Sequence, residues 1–171
     1  PYKGDVIPLI DVLDPSAERI RSVNTIVNDD GHLTGYNTDY TAVAKLLQTH
    51  KVNPDLPVSI RGSGGMANAV IAALADHGLA GTVVARNHTT GAALAQRYGW
   101  DYSAEVPETA KILVNVTPLG MNGPDEDVVS FTRDEIDRAD VIFDCVAMPV
   151  ETPLIKIARS LGKETIDGGE V

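Results

Sequence analysis

From about residue 56 onward, short apolar runs alternate with longer stretches that have helical periodicity. Apolar runs of three to five residues bounded by turn residues predict buried strands, and their alternation with helices is typical of a parallel sheet joined by crossover helices. The predicted fold class is therefore α/β, with a doubly wound parallel sheet. The predicted strands cover residues 58–60, 82–85, 112–115, 141–144 and 164–166, and a weaker one covers 100–102.

Two helices are predicted between these strands, over residues 66–77 and 90–97. The first is rich in alanine and places Ala69, Ala73 and Leu74 on one face. The region before residue 50 has a different pattern. It predicts a short helix over 15–21, a strand over 25–27, a hairpin turn at 28–31, a helix over 37–48 and a loop over 53–57.

Composition narrows the classes of function. The 171 residues carry a net charge of −10, which repels nucleic-acid backbones and anionic membranes, and no basic patch offsets it. No apolar run approaches the ~20 residues that span a bilayer. The single Cys145 has no partner for an internal disulfide, which favours a reducing, cytoplasmic location and a role as a small buried hydrophobe. The start at Pro1 without Met leads us to expect further sequence upstream.

The glycine-rich segment Gly62-Ser63-Gly64-Gly65-Met66-Ala67 follows the first predicted strand and opens a helix. In dinucleotide-binding folds, the first glycine of such a loop permits the tight turn, the second lets backbone N–H groups approach the pyrophosphate, and a small third residue lets the helix pack closely. The context predicts a Rossmann-like dinucleotide site. A purely structural glycine turn is the alternative.

Arg86 follows the second strand of the predicted sheet, in the sequence Ala85-Arg86-Asn87-His88. This position normally carries an acidic residue that holds the ribose 2′-hydroxyl, or an arginine that accepts a 2′-phosphate. Because a guanidinium matches a phosphate and no carboxylate lies nearby, we expect NADP, with NAD as the second possibility. The alternative for Arg86 is an exposed surface arginine.

Six segments, in order, resemble motifs of the shikimate/quinate dehydrogenase family, especially its shikimate dehydrogenase-like branch. They are Pro1-Tyr2-Lys3-Gly4, Ser22-Val23-Asn24-Thr25, Gly35-Tyr36-Asn37-Thr38-Asp39, the loop at Gly62, Asn115-Val116-Thr117-Pro118-Leu119-Gly120-Met121, and the segment from Asp144 to Leu154. The resemblance spans nearly the whole chain.

The resemblance implies a remnant of the substrate-binding domain over residues 1–36 and an NADP-binding Rossmann domain over 37–171. It implies an oxidoreductase that transfers a hydride between NADP and shikimate or a related hydroxy acid such as quinate, acting as a monomer or homodimer. Lys3 is then the catalytic acid/base, Asp39 orients Lys3 and the substrate hydroxyl, and Asn24 binds substrate. The implied cofactor-binding residues are Gly62, Ser63, Gly64, Gly65, Met66, Ala67, Arg86, Asn115 and Thr117.

The chain departs from the family pattern at two positions. Thr90 stands where the family has a second basic residue four positions beyond the arginine, which weakens the expected preference for NADP. Ala147 stands where the family often has a tyrosine near substrate and nicotinamide. By the same resemblance, the serine pair that binds the substrate carboxylate would precede Pro1, and a helix with a substrate-binding glutamine would follow Val171.

A base near the substrate hydroxyl is a chemical requirement of alcohol oxidation, because a proton must leave the oxygen as the hydride leaves carbon. An ordinary lysine is a poor base at neutral pH, so burial or the cationic nicotinamide would have to lower the pKa of Lys3, whereas Asp39 favours the ammonium. Without the resemblance, Lys3 is an ordinary surface lysine and Asn-Thr-Asp an ordinary helix cap. His32, His50, His77 and His88 show no ligand spacing, so no metal is expected.

Two other functions compete with this one. If the chain is complete as given, it would be a catalytically silent NADP-binding module, because hydride transfer needs substrate held against the cofactor. A dehydrogenase that acts on a folate or an amino acid could use the same fold. Lys3 and Asp39 argue against that second alternative.

Overall fold

The computed structural model describes residues 2–171, which form two sheets with helices around them. In chain order, the first part contains a 3-10 helix (Ile7–Leu9), β1 (Val12–Leu13), α1 (Pro15–Ile20), β2 (Thr25–Asp29), β3 (His32–Tyr36) and α2 (Thr38–Thr49). The second part contains β4 (Val58–Arg61), α3 (Gly65–Asp76), β5 (Gly81–Val84), α4 (His88–Tyr98), β6 (Asp101–Ser103), β7 (Ile112–Asn115), α5 (Arg133–Arg138), β8 (Val141–Asp144), α6 (Pro153–Ser160) and β9 (Glu164–Ile166).

The larger sheet has six parallel strands in the order β6-β5-β4-β7-β8-β9. Counted from β4, this is the order 3-2-1-4-5-6 of a doubly wound dinucleotide-binding sheet. The predicted fold class is confirmed. The order reverses between β4 and β7, which leaves a crevice at the carboxyl ends of these strands.

Side chains of the six strands alternate between two apolar layers, because successive residues of a strand point to opposite faces of the sheet. In β7, Val114 belongs to the main core beneath α2 and α3, whereas Leu113 packs with Phe131, Ile136 and other residues of the opposite layer. Helix α3 lies close to the sheet because small residues, including Ala67 and Ala73, form its buried face.

The smaller sheet has the order β1-β3-β2, with β3 parallel to β1 and antiparallel to β2. The predicted hairpin turn is present: Asp30 (φ 48°) and Gly31 (φ 93°) connect β2 and β3. Two consecutive left-handed residues are the signature of a type I′ turn, whose twist matches that of the strands. The predicted boundary between residues 36 and 37 falls between β3 and α2, and it stays a prediction.

Most predicted elements lie within two residues of their observed bounds, but several elements were missed. Strands β7, β8 and β9 have the predicted bounds, and the weaker strand over 100–102 is observed as β6, one residue later. The sequence analysis did not predict β1, β3, the 3-10 helix, α5 or α6. Helix α5 was not predicted because only Ile136 of its six residues is buried, so the sequence shows no apolar periodicity there.

Candidate functional site

The glycine loop joins β4 to α3 at the carboxyl edge of the six-stranded sheet. Gly62 has φ 122°, and a Cβ there would lie 2.8 Å from Val116 Cγ2, so both the backbone and the space require glycine. Gly64 is the N-cap of α3, and Cβ atoms added at Gly64 or Gly65 would meet nothing within 4 Å. The space beside the first turn of α3 is therefore open, and the free N–H groups of a helix N-terminus suit an anion there.

An open cleft of about 520 Å³ extends from this loop across the ends of β5 and β7. It is lined by Arg61, Gly62, Ser63, Gly64, Val84, Ala85, Arg86, Asn87, Tyr102, Ala104, Val116, Thr117, Pro118, Leu119 and Asp125. Among the predicted cofactor residues, the lining includes Gly62, Ser63, Gly64, Arg86 and Thr117.

The other predicted cofactor residues lie beside or behind the cleft. Gly65, Met66 and Ala67 form the first turn of α3, where Ala67 is fully buried and Met66 packs against the main core. Asn115 is fully buried behind the lining. Its Oδ1 accepts hydrogen bonds from Thr117 N (3.1 Å) and Thr117 Oγ1 (2.6 Å), so Asn115 positions Thr117.

Arg86 lines the cleft just before α4, and Thr90 lies in the first turn of that helix. Arg86 is exposed, so its side chain is accessible to a ligand. Asn87 caps α4 by accepting a hydrogen bond from Thr90 N (3.2 Å), and Thr90 Oγ1 lies 2.7 Å from Ser63 Oγ. Thr90 therefore connects the glycine loop to α4 in the place where a second basic residue was expected.

Asp144, at the carboxyl end of β8, is a buried carboxylate that the sequence analysis placed at the end of a predicted strand and in a motif, without assigning it a role. Its oxygens accept hydrogen bonds from Asn115 Nδ2 (2.9 Å), Val146 N (3.1 Å) and Thr152 Oγ1 (2.7 Å). Burial raises the pKa of Asp144, and these three hydrogen bonds only partly offset the rise. The signal in the sequence was a charged residue ending an apolar run, because a buried charge needs partners.

Cys145 follows Asp144 and packs against the main core, as expected of a small hydrophobe. Burial raises the pKa of its thiol far above the ordinary range, and the negative charges of Asp144 and Asp39 raise it further.

Lys3 and Asp39 form an ion pair, with Lys3 Nζ 2.9 Å from Asp39 Oδ2. Both side chains are partly exposed, 40% for Lys3 and 25% for Asp39. The Lys3 carbonyl accepts a hydrogen bond from Val23 N (2.7 Å), and Asn24 Oδ1 accepts one from Thr38 N (2.9 Å). The structure thus brings together the three segments that carry Lys3, Asn24 and Asp39.

Asn37 holds the start of α2 against the segment before β2, and the sequence analysis assigned this residue no separate role. It is buried and caps α2, with Oδ1 accepting from Tyr40 N (3.0 Å) and Nδ2 donating to the Ser22 carbonyl (3.0 Å). In the Asn-Thr-Asp sequence, Asn37 is therefore the helix cap. Asp39 is left free to pair with Lys3.

Within residues 2–171, no cluster of three or more His, Cys, Asp or Glu side chains could hold a metal ion. Over the same residues, no helix combines the length and the apolar character needed to cross a bilayer.

Comparison with known proteins identifies relatives over the full length of the chain. The chain is 48% identical to the shikimate dehydrogenase-like protein of Haemophilus influenzae over 174 residues. The match covers 100% of this chain and 64% of the relative. The chain is homologous to the shikimate/quinate dehydrogenases. No protein-family model matches it.

Two solved structures of shikimate/quinate dehydrogenases share its fold. Quinate dehydrogenase from Corynebacterium glutamicum in complex with NAD matches with a TM-score of 0.85 and 34% identity, over 99% of this chain and 65% of that one. Shikimate 5-dehydrogenase from Thermus thermophilus in complex with NADP(H) and shikimate matches with a TM-score of 0.85 and 28% identity, over the same shares. The chain thus spans slightly less than two thirds of the length of these relatives.

Proposed function

We propose that this chain is the nucleotide-binding and acid/base part of an NADP-dependent oxidoreductase that interconverts shikimate and 3-dehydroshikimate, or a related hydroxy acid such as quinate and its ketone. The observation that carries the proposal is the Lys3–Asp39 pair, 2.9 Å apart, in a chain whose glycine loop lines an open cleft. A hydride acceptor and a proton acceptor are the two requirements of alcohol oxidation.

The cleft supports NADP as the cofactor, with NAD as an alternative substrate. When bound, the nicotinamide accepts or supplies the hydride. The open first turn of α3 would hold the pyrophosphate, and Arg86 would contact a 2′-phosphate. Because Thr90 is hydrogen-bonded to Ser63 and carries no charge, Arg86 would discriminate between the two cofactors alone. We expect a modest preference for NADP.

Lys3 would transfer the proton at the substrate oxygen. In the reductive direction, the Lys3 ammonium donates a proton to the alkoxide that forms from the ketone. In the oxidative direction, Lys3 must first be neutral to accept the hydroxyl proton. Asp39 holds the Lys3 amine in place through their ion pair, and Asn24 would bind substrate hydroxyls.

The homologues named as shikimate and quinate dehydrogenases support the substrate class. Ala147 is exposed and does not fill the space that a tyrosine would fill there. A smaller side chain near the substrate gives room for a hydroxy acid with a different ring substituent, so shikimate and quinate both belong in the test.

The test is an assay of the full-length protein that contains this chain. NADP and NAD reduction are measured with shikimate and with quinate as substrates. We expect turnover with at least one of the hydroxy acids and faster turnover with NADP. Tight NADP binding without turnover on either acid would overturn the dehydrogenase proposal and leave a nucleotide-binding module.

A further inference from the structure

Arg61 is a cation in the cleft to which the proposed function assigns no role. It is the last residue of β4 and directly precedes Gly62. Its neighbours in register are Val84 on β5 and Asn115 on β7, both uncharged. Its side chain is 27% exposed and contributes to the lining of the cleft.

The protein satisfies the Arg61 guanidinium only in part. One side of the group lies over the Phe131 ring, with Cζ 5.0 Å from the ring centroid. Nε is buried and has no hydrogen-bond partner in the described part of the chain, residues 2–171. The nearest carboxylate oxygen, Glu135 Oε2, is 4.0 Å from Nη2, which is too long for a hydrogen bond.

This environment leaves an incompletely compensated cation at the cleft. Burial lowers the pKa of Arg61, and the charge of Glu135 offsets only part of that effect. A guanidinium keeps its charge in proteins and carries five N–H donors in one plane. The packing of Arg61 Cζ over the Phe131 ring restricts the movement of the guanidinium before any ligand arrives.

The lining around Arg61 differs from the rest of the cleft. The glycine loop offers backbone N–H groups, and Arg86 lies just beyond β5. On the strands beside β4, the lining includes the apolar Val84, at the end of β5, and Val116, directly after β7. Apolar walls with a few oriented donors suit a flat heterocycle whose edge carries acceptors, and they do not suit a phosphate.

We propose that Arg61 recognises the adenine base of the dinucleotide, its terminal N–H groups donating to ring nitrogens of a purine that lies between Val84 and Val116. The inference rests on the proposed function and adds to it a base-recognition residue. Arg61 then acts on NADP and NAD alike, whereas Arg86 acts on NADP alone.

The test compares two arginine variants within one cleft, with Arg138→Met, at the exposed end of α5, as the control for removing a positive charge. Binding of NADPH, NADH, adenosine 5′-monophosphate and reduced nicotinamide mononucleotide to the full-length protein is measured by fluorescence or by competition. Arg61→Met should weaken NADPH, NADH and adenosine monophosphate by a similar factor, about 10-fold or more. It should leave the mononucleotide, which lacks adenine, unchanged. Arg86→Met should weaken NADPH alone.

Arg61→Lys keeps the charge but loses the planar fork, and it provides a second variant if Arg61→Met folds poorly. Weakened binding of NADH and adenosine monophosphate by Arg61→Lys supports base recognition. Two results together would assign Arg61 to phosphate and overturn the inference. Arg61→Lys would bind every nucleotide as the wild type does, and the affinity lost in Arg61→Met would be greater for NADPH and would become smaller as salt is added. Normal binding in both variants overturns it too. A wild-type protein that binds neither dinucleotide overturns the proposed function together with this inference.

Discussion

Lys3 and Asp39 are separated by 36 residues, yet their side chains meet at 2.9 Å. Neither residue stands out chemically in the sequence. Lysines are ordinarily exposed, and an aspartate in the first turn of a helix is common because its charge interacts favourably with the helix dipole. The motif resemblance predicts roles for both residues, and the structure shows that their side chains form an ion pair. Their catalytic role stays a prediction that mutation can test.

At the scale of single residues, Lys3→Ala in the full-length protein should lower kcat by about 10²–10⁴-fold, the usual contribution of a general acid or base. Asp39→Asn should also slow turnover, since the amide keeps the shape but loses the charge that holds the Lys3 amine. The dissociation constant of NADPH, measured by fluorescence titration, should be unchanged in both. Lys45→Ala, on the exposed face of α2, is the control, and near-normal kcat in Lys3→Ala would remove the pair from the mechanism.

At the scale of elements, two glycines of one loop serve different physical purposes. Gly62 is required by the fold, since its φ is 122° and its neighbour Val116 leaves no room for a Cβ. Gly64 has φ −84°, which any residue adopts, and open space around it. The space above Gly64 is therefore available to a ligand.

Gly64→Val should leave the melting temperature nearly unchanged and weaken NADPH binding at least about 10-fold, because the new side chain would occupy the space proposed for the pyrophosphate. Gly62→Ala should instead lower the melting temperature through strain at positive φ. Thermal unfolding and NADPH titration of both variants check the contrast. Unchanged cofactor affinity in Gly64→Val would contradict the assignment of the loop.

Thr152 connects helix α6 to the end of β8 in two ways. Its Oγ1 caps α6 by accepting a hydrogen bond from Ile155 N (3.2 Å), and it donates to Asp144 Oδ2 (2.7 Å). Thr132 caps α5 in the same manner, with Oγ1 accepting from Glu135 N (3.2 Å), but it is exposed, and only its backbone N donates to a carboxylate, that of Glu135. The two threonines form a matched pair for measuring the Asp144 hydrogen bond.

We expect Thr152→Val to lower the free energy of unfolding by about 1–3 kcal/mol more than Thr132→Val does, because it leaves a buried carboxylate short of a donor. Loss of this donor raises the pKa of Asp144 further above its ordinary 3.8. When the folded-state pKa of a carboxyl is raised, the free energy of unfolding falls as pH increases from the unfolded-state pKa through the folded-state pKa. The deficit of Thr152→Val, measured by urea unfolding, should grow as pH rises above the folded-state pKa of Asp144 in the wild type; a pH-independent deficit would show that only the cap was lost.

At the scale of the whole molecule, the placement of the small sheet relative to the nucleotide cleft depends on contacts between helices. Ile20 of α1 packs on Ala69 and Ala72 of α3. Beside this contact, Asp76 at the end of α3 accepts hydrogen bonds from Arg19 Nη2 (2.9 Å) and Tyr40 Oη (2.8 Å). Helices α1, α2 and α3 are thus joined at one carboxylate.

Asp76→Asn tests this junction. Burial acts to raise the pKa of Asp76, but the hydrogen bonds from Arg19 and Tyr40 outweigh it and hold the pKa below its usual value. A depressed pKa contributes stability above the unfolded-state pKa that is lost as pH falls through the folded-state value. The variant should lose under about 1 kcal/mol at neutral pH, because the group is partly exposed.

Below about pH 4 the unfolding free energies of the wild type and of Asp76→Asn should converge. Urea unfolding across a pH series measures this, with Asp55→Asn in the loop before β4 as the control. Parallel curves for wild type and Asp76→Asn would show that the junction carries no pH-dependent stability.

The sequence by itself determined the six strands, the glycine loop and the α/β class, because local apolar runs, turn residues and crossover lengths are sufficient to specify a doubly wound sheet. It also named Lys3, Asp39 and the residues of the loop, through resemblance. It missed α5, whose stability comes from its cap and one buried side chain, and it named Asn115 without revealing its hydrogen bonds to Thr117 and Asp144. Those contacts join residues far apart in the chain, as does the position of Arg61 over Phe131. Only tertiary packing decides such contacts, because burial and the partners that satisfy it exist only in the folded chain.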